Sequence, residues 1–306
     1  MTAPSPENGT ATRNVERAMM IMVVAMLTLP TIDAIAKYLS ATVPAGLISW
    51  SRFVFQMAFL APFALPQWRK WQLSLWPIHA ARGVLLAVTT LFFFASLNAL
   101  PLADAISIFF VEPLILTLLS ALFLGETIGW RRLSAVAVGF IGALIVVRPS
   151  YEVFGLTALL PLAAALGFAL YLILTRQIAP REDPITMQFL AGVFGFVAMS
   201  LSLGAGVAFD IEVLEPIWPT SWEWLLMTGI GVFATAGHLM VVHAFRRAEA
   251  AILAPFQYLE IISATTFGLL LFGDFPDLTT WCGISIIVGS GIYVFHRERK
   301  LARAEL

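Results

Sequence analysis

Charge and cysteine are what this 306-residue chain lacks. Asp, Glu, Lys and Arg make up only 12% of it, and Cys282 is its single cysteine. One thiol excludes an intrachain disulfide, a cysteine-based metal cluster and a redox pair, and leaves Cys282 a packing role at the start of an apolar run. Scarce charge, with 59% hydrophobic residues and a mean hydropathy of +0.88, excludes a soluble enzyme domain. The sequence also has no G-x-x-x-x-G-K-[ST] loop, no H-E-x-x-H pair and no regular arginine series, which removes ATP-driven pumping, zinc proteolysis and voltage sensing. No cofactor, no metal and no nucleic-acid partner is expected.

What is present is a series of apolar runs, each long enough to cross a hydrocarbon core of roughly 30 Å. They place helices at 17–38, 44–65, 77–98, 103–124, 130–148, 153–176, 184–206, 220–245, 250–273 and 278–296. Pro44, Pro66, Pro77, Pro101, Pro149, Pro180, Pro184 and Pro219 lie at or near these ends, and Thr220 with Glu223 has the spacing of a capping box. Residues 1–16 are polar and read as a disordered tail, as do 297–306. The run after Arg17 outlasts a signal-peptide core and carries Asp33 and Lys37 where a cleavage site would need small residues, so it is read as the first span.

Basic residues fall on alternate loops. With a cytoplasmic amino terminus, all of the 18 lysines and arginines except Lys37, Arg52 and Arg148 lie on the inner side, Arg82 among them. Acids such as Glu152, Asp210, Glu212, Glu215 and Asp277 collect outside, and both termini are cytoplasmic.

The chain also echoes itself. In 102–130 a carboxylate and a proline, Glu112 and Pro113, interrupt an apolar segment, and 248–281 repeats the pattern: Ala103-Asp104 answers Ala248-Glu249, Glu112 answers Glu260, and Gly125-Glu126 answers Gly273-Asp274. Five spans per copy reverse the second copy in the bilayer. The fold class is therefore an all-α polytopic membrane protein of ten transmembrane helices in two inverted five-helix repeats, 17–148 and 153–296. Such repeats carry a substrate site near the midplane of secondary transporters.

An ionised carboxylate at the bilayer centre costs on the order of 3 kcal/mol, so Glu112 and Glu260 face protein or a water-filled cavity. Each is a binding or gating group, or else a polar group that holds helices together. Pro113 and Pro255 remove amide donors and release the carbonyls of Phe109 and Ala251, which predicts irregular backbone, with a bulge or kink near Pro255. Arg52 is an anchor for an anionic group or an outer gate, with a permanent ion pair to Glu112 or Asp33 as the bland alternative. Asp33 and Lys37 are spaced as an i, i+4 pair, and Lys37 can snorkel outwards. His238 is a candidate proton carrier against the plainer reading of a satisfied polar histidine. Asn98, Tyr171 and Tyr258 are candidate neutral donors, and Trp50 with Phe93 a candidate aromatic wall. Ala135, Gly139 and Ala143, with Ser285 and Gly289, form small-residue faces for close helix contact within the bundle or between subunits.

The ten-span inverted repeat, Val111-Glu112-Pro113-Leu114 followed by Gly125-Glu126, and Tyr258-Leu259-Glu260 followed by Gly273-Asp274 resemble the EamA family of the drug/metabolite transporter superfamily. In this chain Ile261 stands where that family usually has a proline after the second glutamate, the proline being displaced to Pro255. The resemblance implies a solute carrier with a central cavity, helices 5 and 10 lying peripherally. The expected function is a secondary transporter, not an enzyme, that exports small metabolites, amino acids foremost, across a bacterial-type inner membrane by alternating access. The alternative is an importer of a larger metabolite such as a vitamin, a nucleoside derivative or a nucleotide sugar, and a membrane-embedded lipid enzyme or receptor is the reading from another class. The expected partners are a small-molecule substrate and the lipid bilayer, with proton coupling through Glu112, Glu260 or His238 left open, in a monomer or weak homodimer.

Overall fold

A peptide group without a hydrogen-bond partner is costly in hydrocarbon, so a chain of apolar runs satisfies its backbone within each run. The computed structural model describes residues 6–124, 130–178, 181–245, 247, 256 and 259–304, and these are almost entirely helical, with no strand among them. Seven segments are long and apolar enough to cross a membrane: Glu16–Leu39, Ala45–Arg69, Leu73–Leu97, Leu102–Leu119, Tyr151–Thr175, Pro184–Phe209 and Ser221–Val241. Shorter apolar helices at Leu133–Val147, Leu259–Phe272 and Leu278–Tyr293 lie where the fifth, ninth and tenth spans are expected. The chain is a multi-pass membrane protein.

The first span is two helices, α1 (Pro6–Thr28) and α2 (Pro30–Leu39). Pro30 has no N–H to give the carbonyl of Met26, and the chain tightens there, with Ile32 N bonding Leu29 O at 2.9 Å. The side chain of Leu29 fills the space a Cβ on Gly237 would occupy, 2.5 Å from Leu29 Cδ2. Helix α1 starts upstream of Arg17, so part of the polar segment continues it. After α3 (Ala45–Ala64) and α4 (Trp76–Leu97), the fourth span also divides, into α5 (Leu102–Phe109) and α6 (Glu112–Leu124). Pro113 cannot donate to Phe109 O, and the amides of Leu114 and Ile115 both turn to Val111 O, at 3.0 and 3.1 Å. The break leaves Glu112 in the first turn of α6, where a helix N-terminus favours negative charge.

Helices α7 (Trp130–Phe154), α8 (Leu160–Ile178), α9 (Pro184–Phe209) and α10 (Ser221–Phe245) follow. Asp183 caps α9 by accepting from the amides of Ile185 and Thr186. The capping box forms as expected: Glu223 N donates to Thr220 Oγ1 at 3.3 Å and Glu223 Oε2 accepts from Thr220 N at 2.7 Å. Helix α11 (Leu259–Phe267) runs into a π-helical turn, Gly268–Phe272, that ends at Gly273 with φ 73°, and α12 (Leu278–Ala304) completes the chain. The expected kink at Pro255 lies outside the described residues, as do Tyr258, Gly125 and Glu126.

Helices α7 and α12 share the most extensive contact. Their backbones touch where Gly142 meets Gly283: a Cβ on Gly283 would lie 2.8 Å from Gly142 O and 2.3 Å from Val146 Cγ2. The expected face of α7 is the one used, with Ala135 and Ala143 buried and Gly139 against Ser290 and Leu114. On α12 the expected face is not the one used within the bundle, because Ser285 and Gly289 are exposed and Gly283, Ile286 and Ser290 make the contact. The remaining bundle has α4 on α8 and α9, α10 on α1, α2 and α3, α3 on α9, α5 and α6 on α8, and α11 on α1 and α2. Leu122, Leu201, Leu270 and Leu278 are among the large apolar side chains left on the outer surface, as a hydrocarbon solvent permits.

Candidate functional site

Ionisable side chains from both divided spans and from three other helices line the same interior volume. Asp33 from α2, Arg52 from α3, Glu112 from α6, His238 from α10 and Glu260 from α11 line one cavity of about 180 Å³. Pro113 and Phe93 also line it. These are seven of the ten sequence candidates that fall on described residues.

Arg52 is 8% exposed. Its Nη1 donates to the Thr90 hydroxyl, its guanidinium lies 5.5 Å from the centre of the Phe53 ring, and its Nε has no hydrogen-bond partner. The bland alternative of a direct ion pair with Asp33 is not formed among the described residues; Asp33 is the carboxylate whose charge acts on Arg52. Asp33 and Glu112 are in turn the charges that act on Glu260. His238 Nδ1 lies 2.8 Å from Ala234 O, and since a carbonyl only accepts, that nitrogen carries the proton of the bond.

The apolar wall is a run of rings. Phe93 meets Phe109 edge-on at 5.3 Å, Phe109 meets Phe168 at 5.8 Å, and Phe168 stacks on Tyr171 at 5.5 Å. Sequence reasoning passed over Thr89, Thr90 and Phe168, which also line the cavity. A signal existed for the threonines: Leu86, Thr89, Thr90 and Phe93 have helical spacing and share one face of α4.

Three candidates lie elsewhere. Trp50 donates to Ser200 Oγ at 2.9 Å and rests against Phe196, so it joins α3 to α9. Asn98 is exposed just beyond α4 and donates to Ser40 O at 3.3 Å. Tyr171 stands behind Phe168, its hydroxyl accepting from Arg82 Nη2 at 3.4 Å. Arg82 itself corrects the loop count, because it is 1% exposed and held by Thr175 Oγ1 and Met187 O.

Lys37 does not pair with Asp33. Its Nζ donates to Leu100 O at 2.6 Å, lies 3.5 Å from Asp274 Oδ2 and 5.4 Å from the centre of the Phe272 ring, so it ties α2 to the segment beyond α4 and to the end of α11. Beside it a second hollow of about 370 Å³ is lined by Asp104, Asp274, Asp277 and Thr280.

The sequence profile of the EamA-like transporter family matches residues 16–148 and 155–295. Among named relatives, an S-adenosylmethionine uptake transporter of Rickettsia bellii is 28% identical over 269 residues, covering 88% of this chain and 89% of the relative. A riboflavin transporter of Vibrio cholerae is 28% identical over 295 residues, covering 93% and 94%. A pseudopaline exporter of Pseudomonas aeruginosa is 29% identical over 279 residues, covering 88% and 92%. A solved crystal structure that is 20% identical shares the fold with a TM-score of 0.63, over 94% of this chain and 99% of the other.

Proposed function

Given that the chain belongs to the EamA-like transporter family, we propose that it exports a small metabolite of amino-acid type across a bacterial inner membrane, by alternating access to the cavity around Arg52 and Glu260. The observation that carries this reading is the convergence of Asp33, Arg52 and Glu112 with His238 and Glu260, from distant parts of the chain, on one cavity. A structural polar cluster would close on itself; here Arg52 Nε has no hydrogen-bond partner among the described residues.

The packing pattern supports two inverted five-span repeats. Exchanging the first five spans for the second turns the contact of α4 with α8 into that of α10 with α1 and α2, turns α4 with α9 into α10 with α3, and returns α3 with α9 and α7 with α12 onto themselves. Rocking of one repeat against the other then exposes the cavity on alternate sides. The loop-charge pattern puts both termini in the cytoplasm. A Trp218→Cys label tests this, since Trp218 is 89% exposed; exposed Cys282 is first changed to Ser. Membrane-impermeant maleimide added to intact cells is expected to react at position 218, and reaction only after permeabilisation would reverse the orientation.

In that orientation the Lys37 bridge closes the outer end. Lys37→Met is expected to speed modification of a cysteine at Asp277, in the Cys282→Ser protein, roughly fivefold, as suits loss of an interaction of about 1 kcal/mol. An unchanged rate would show that the bridge does not hold the end shut.

The name of the Rickettsia relative, an uptake transporter, favours a second reading, import of a larger metabolite. The deciding experiment measures uptake and efflux of labelled amino acids, S-adenosylmethionine and riboflavin in proteoliposomes, with and without a pH gradient, and in intact cells. Saturable amino-acid efflux is the expected result. Uptake of one of the larger solutes with no amino-acid flux would replace export by import, and a flux that follows the pH gradient would establish proton coupling.

A further inference from the structure

Arg52 and the rings that share its cavity narrow the class of solute. We propose that the cavity takes a short apolar carboxylate, its two oxygens on the Nε edge of the Arg52 guanidinium and its body against Phe93, Phe109 and Phe168; this deepens the transport reading above and rests on it.

Three observations carry it. Arg52 is more than nine-tenths buried and lines the cavity, and Nη1 is committed to Thr90 while Nε is without a hydrogen-bond partner among the described residues. The Nε–H and one N–H of Nη2 point the same way along the edge that faces away from Nη1, a fork matched to the two oxygens of a carboxylate. A buried donor left unmade is costly, and the need is for an acceptor at one directed N–H, which no described carboxyl supplies. Secondly, much of the lining is apolar. Phe93 meets Phe109 edge-on at 5.3 Å and Phe109 meets Phe168 at 5.8 Å, a continuous wall that Leu86, Phe94 and Ile106 extend. An apolar group seated there leaves water without burying a polar atom. The third observation is size: about 180 Å³ is well below the roughly 300–1,000 Å³ of pockets that hold drug-sized ligands, which limits the solute to a short body.

Helix α4 sets the two parts side by side. Thr90, which holds Nη1, and Phe93 of the wall are three residues apart on one of its faces, about 4.5 Å of helical rise. The same helix packs on α3, which carries Arg52, and on α5 and α8, which carry Phe109 and Phe168. A solute whose apolar group begins close to its carboxylate meets both.

The test measures binding of four near-matched probes to the purified full chain in detergent. L-leucine has the carboxylate and a short apolar body, L-leucinamide replaces the carboxylate by an amide, L-alanine lacks most of the body, and L-leucyl-L-leucine keeps both but doubles the length. Each of the last three is expected to bind about tenfold more weakly than leucine. In Arg52→Gln the preference over leucinamide is expected to disappear while that over alanine persists, and Phe168→Ala does the reverse. Each variant is first compared with the parent in thermal unfolding. Arg52→Lys is the second variant at the anchor: it keeps a cation without the two-pronged edge, and an intermediate preference over leucinamide is expected. Leucinamide, alanine or the dipeptide matching leucine, no binding of any probe, or an unchanged preference in a variant that folds like the parent would overturn the proposal. Saturable flux of another solute in proteoliposomes alongside such a failure leaves the transport reading standing; absence of flux for every solute in the wider panel removes both.

Discussion

Arg52→Ala is expected to lower solute flux roughly 10- to 100-fold, the loss that follows from deleting a hydrogen bond made by a charged group. Insertion and folding are expected to survive, for a reason specific to this site. Arg52 has no direct carboxylate partner among the described residues, so its removal strands no salt-bridged acid; it frees the Thr90 hydroxyl and the face of Phe53. Thr90 lines a cavity large enough for water to reach the vacated position. Initial flux rates in proteoliposomes, normalised to protein recovered as a single species in detergent, provide the check. Glu112→Gln is expected to follow the same pattern. Normal flux with poor recovery would instead give both residues a helix-holding role.

Gly283→Leu is expected to have the largest effect on stability. A Cβ at this position would lie 2.3 Å from Val146 Cγ2 and 2.8 Å from Gly142 O, contacts that no rotamer can relieve because they precede any side-chain torsion. Overpacking of a tight core costs about 1–3 kcal/mol, and here α12 must also move away from α7. In hydrocarbon the loss is compounded, since close van der Waals contact is a principal force between helices there. The matched control is Gly289→Leu on the same helix, where nothing lies within 4 Å of the added Cβ. The measurement is the unfolding midpoint in detergent: a marked fall for Gly283→Leu and little change for Gly289→Leu. Equal stability of the two would mean that the α7–α12 seam does not hold the bundle.

The same pair shows how far helical spacing leads. Small residues four apart marked α7 correctly, because Ala135, Gly139 and Ala143 all turn inward. On α12 the same pattern, Ser285 and Gly289, faces outward, and the contact belongs to Gly283. Spacing defines a face, but a helix in lipid can turn any face to its neighbour without a hydrophobic penalty, so the choice rests on which side chains interlock. Arg82 went astray similarly: a cation near a span end has the signature of a loop, yet Tyr171, Thr175 and Met187 O supply enough partners to bury it.

Composition by itself determined that this protein is a multi-pass helical bundle, because apolar runs of this length leave the backbone no other way to satisfy its hydrogen bonds in a bilayer. The repeated acid near the centre of an apolar span, Glu112 and Glu260, was also enough to mark an interior site, since charge at that depth cannot face lipid. Only the tertiary structure decided which groups share that site. Asp33 and Lys37 lie four residues apart on α2, yet one faces the cavity and the other binds Asp274. Helix packing brought Arg52, His238 and Glu260 from distant parts of the chain to one volume. Local periodicity carries no information about such meetings, because they depend on where each helix axis lies relative to the others.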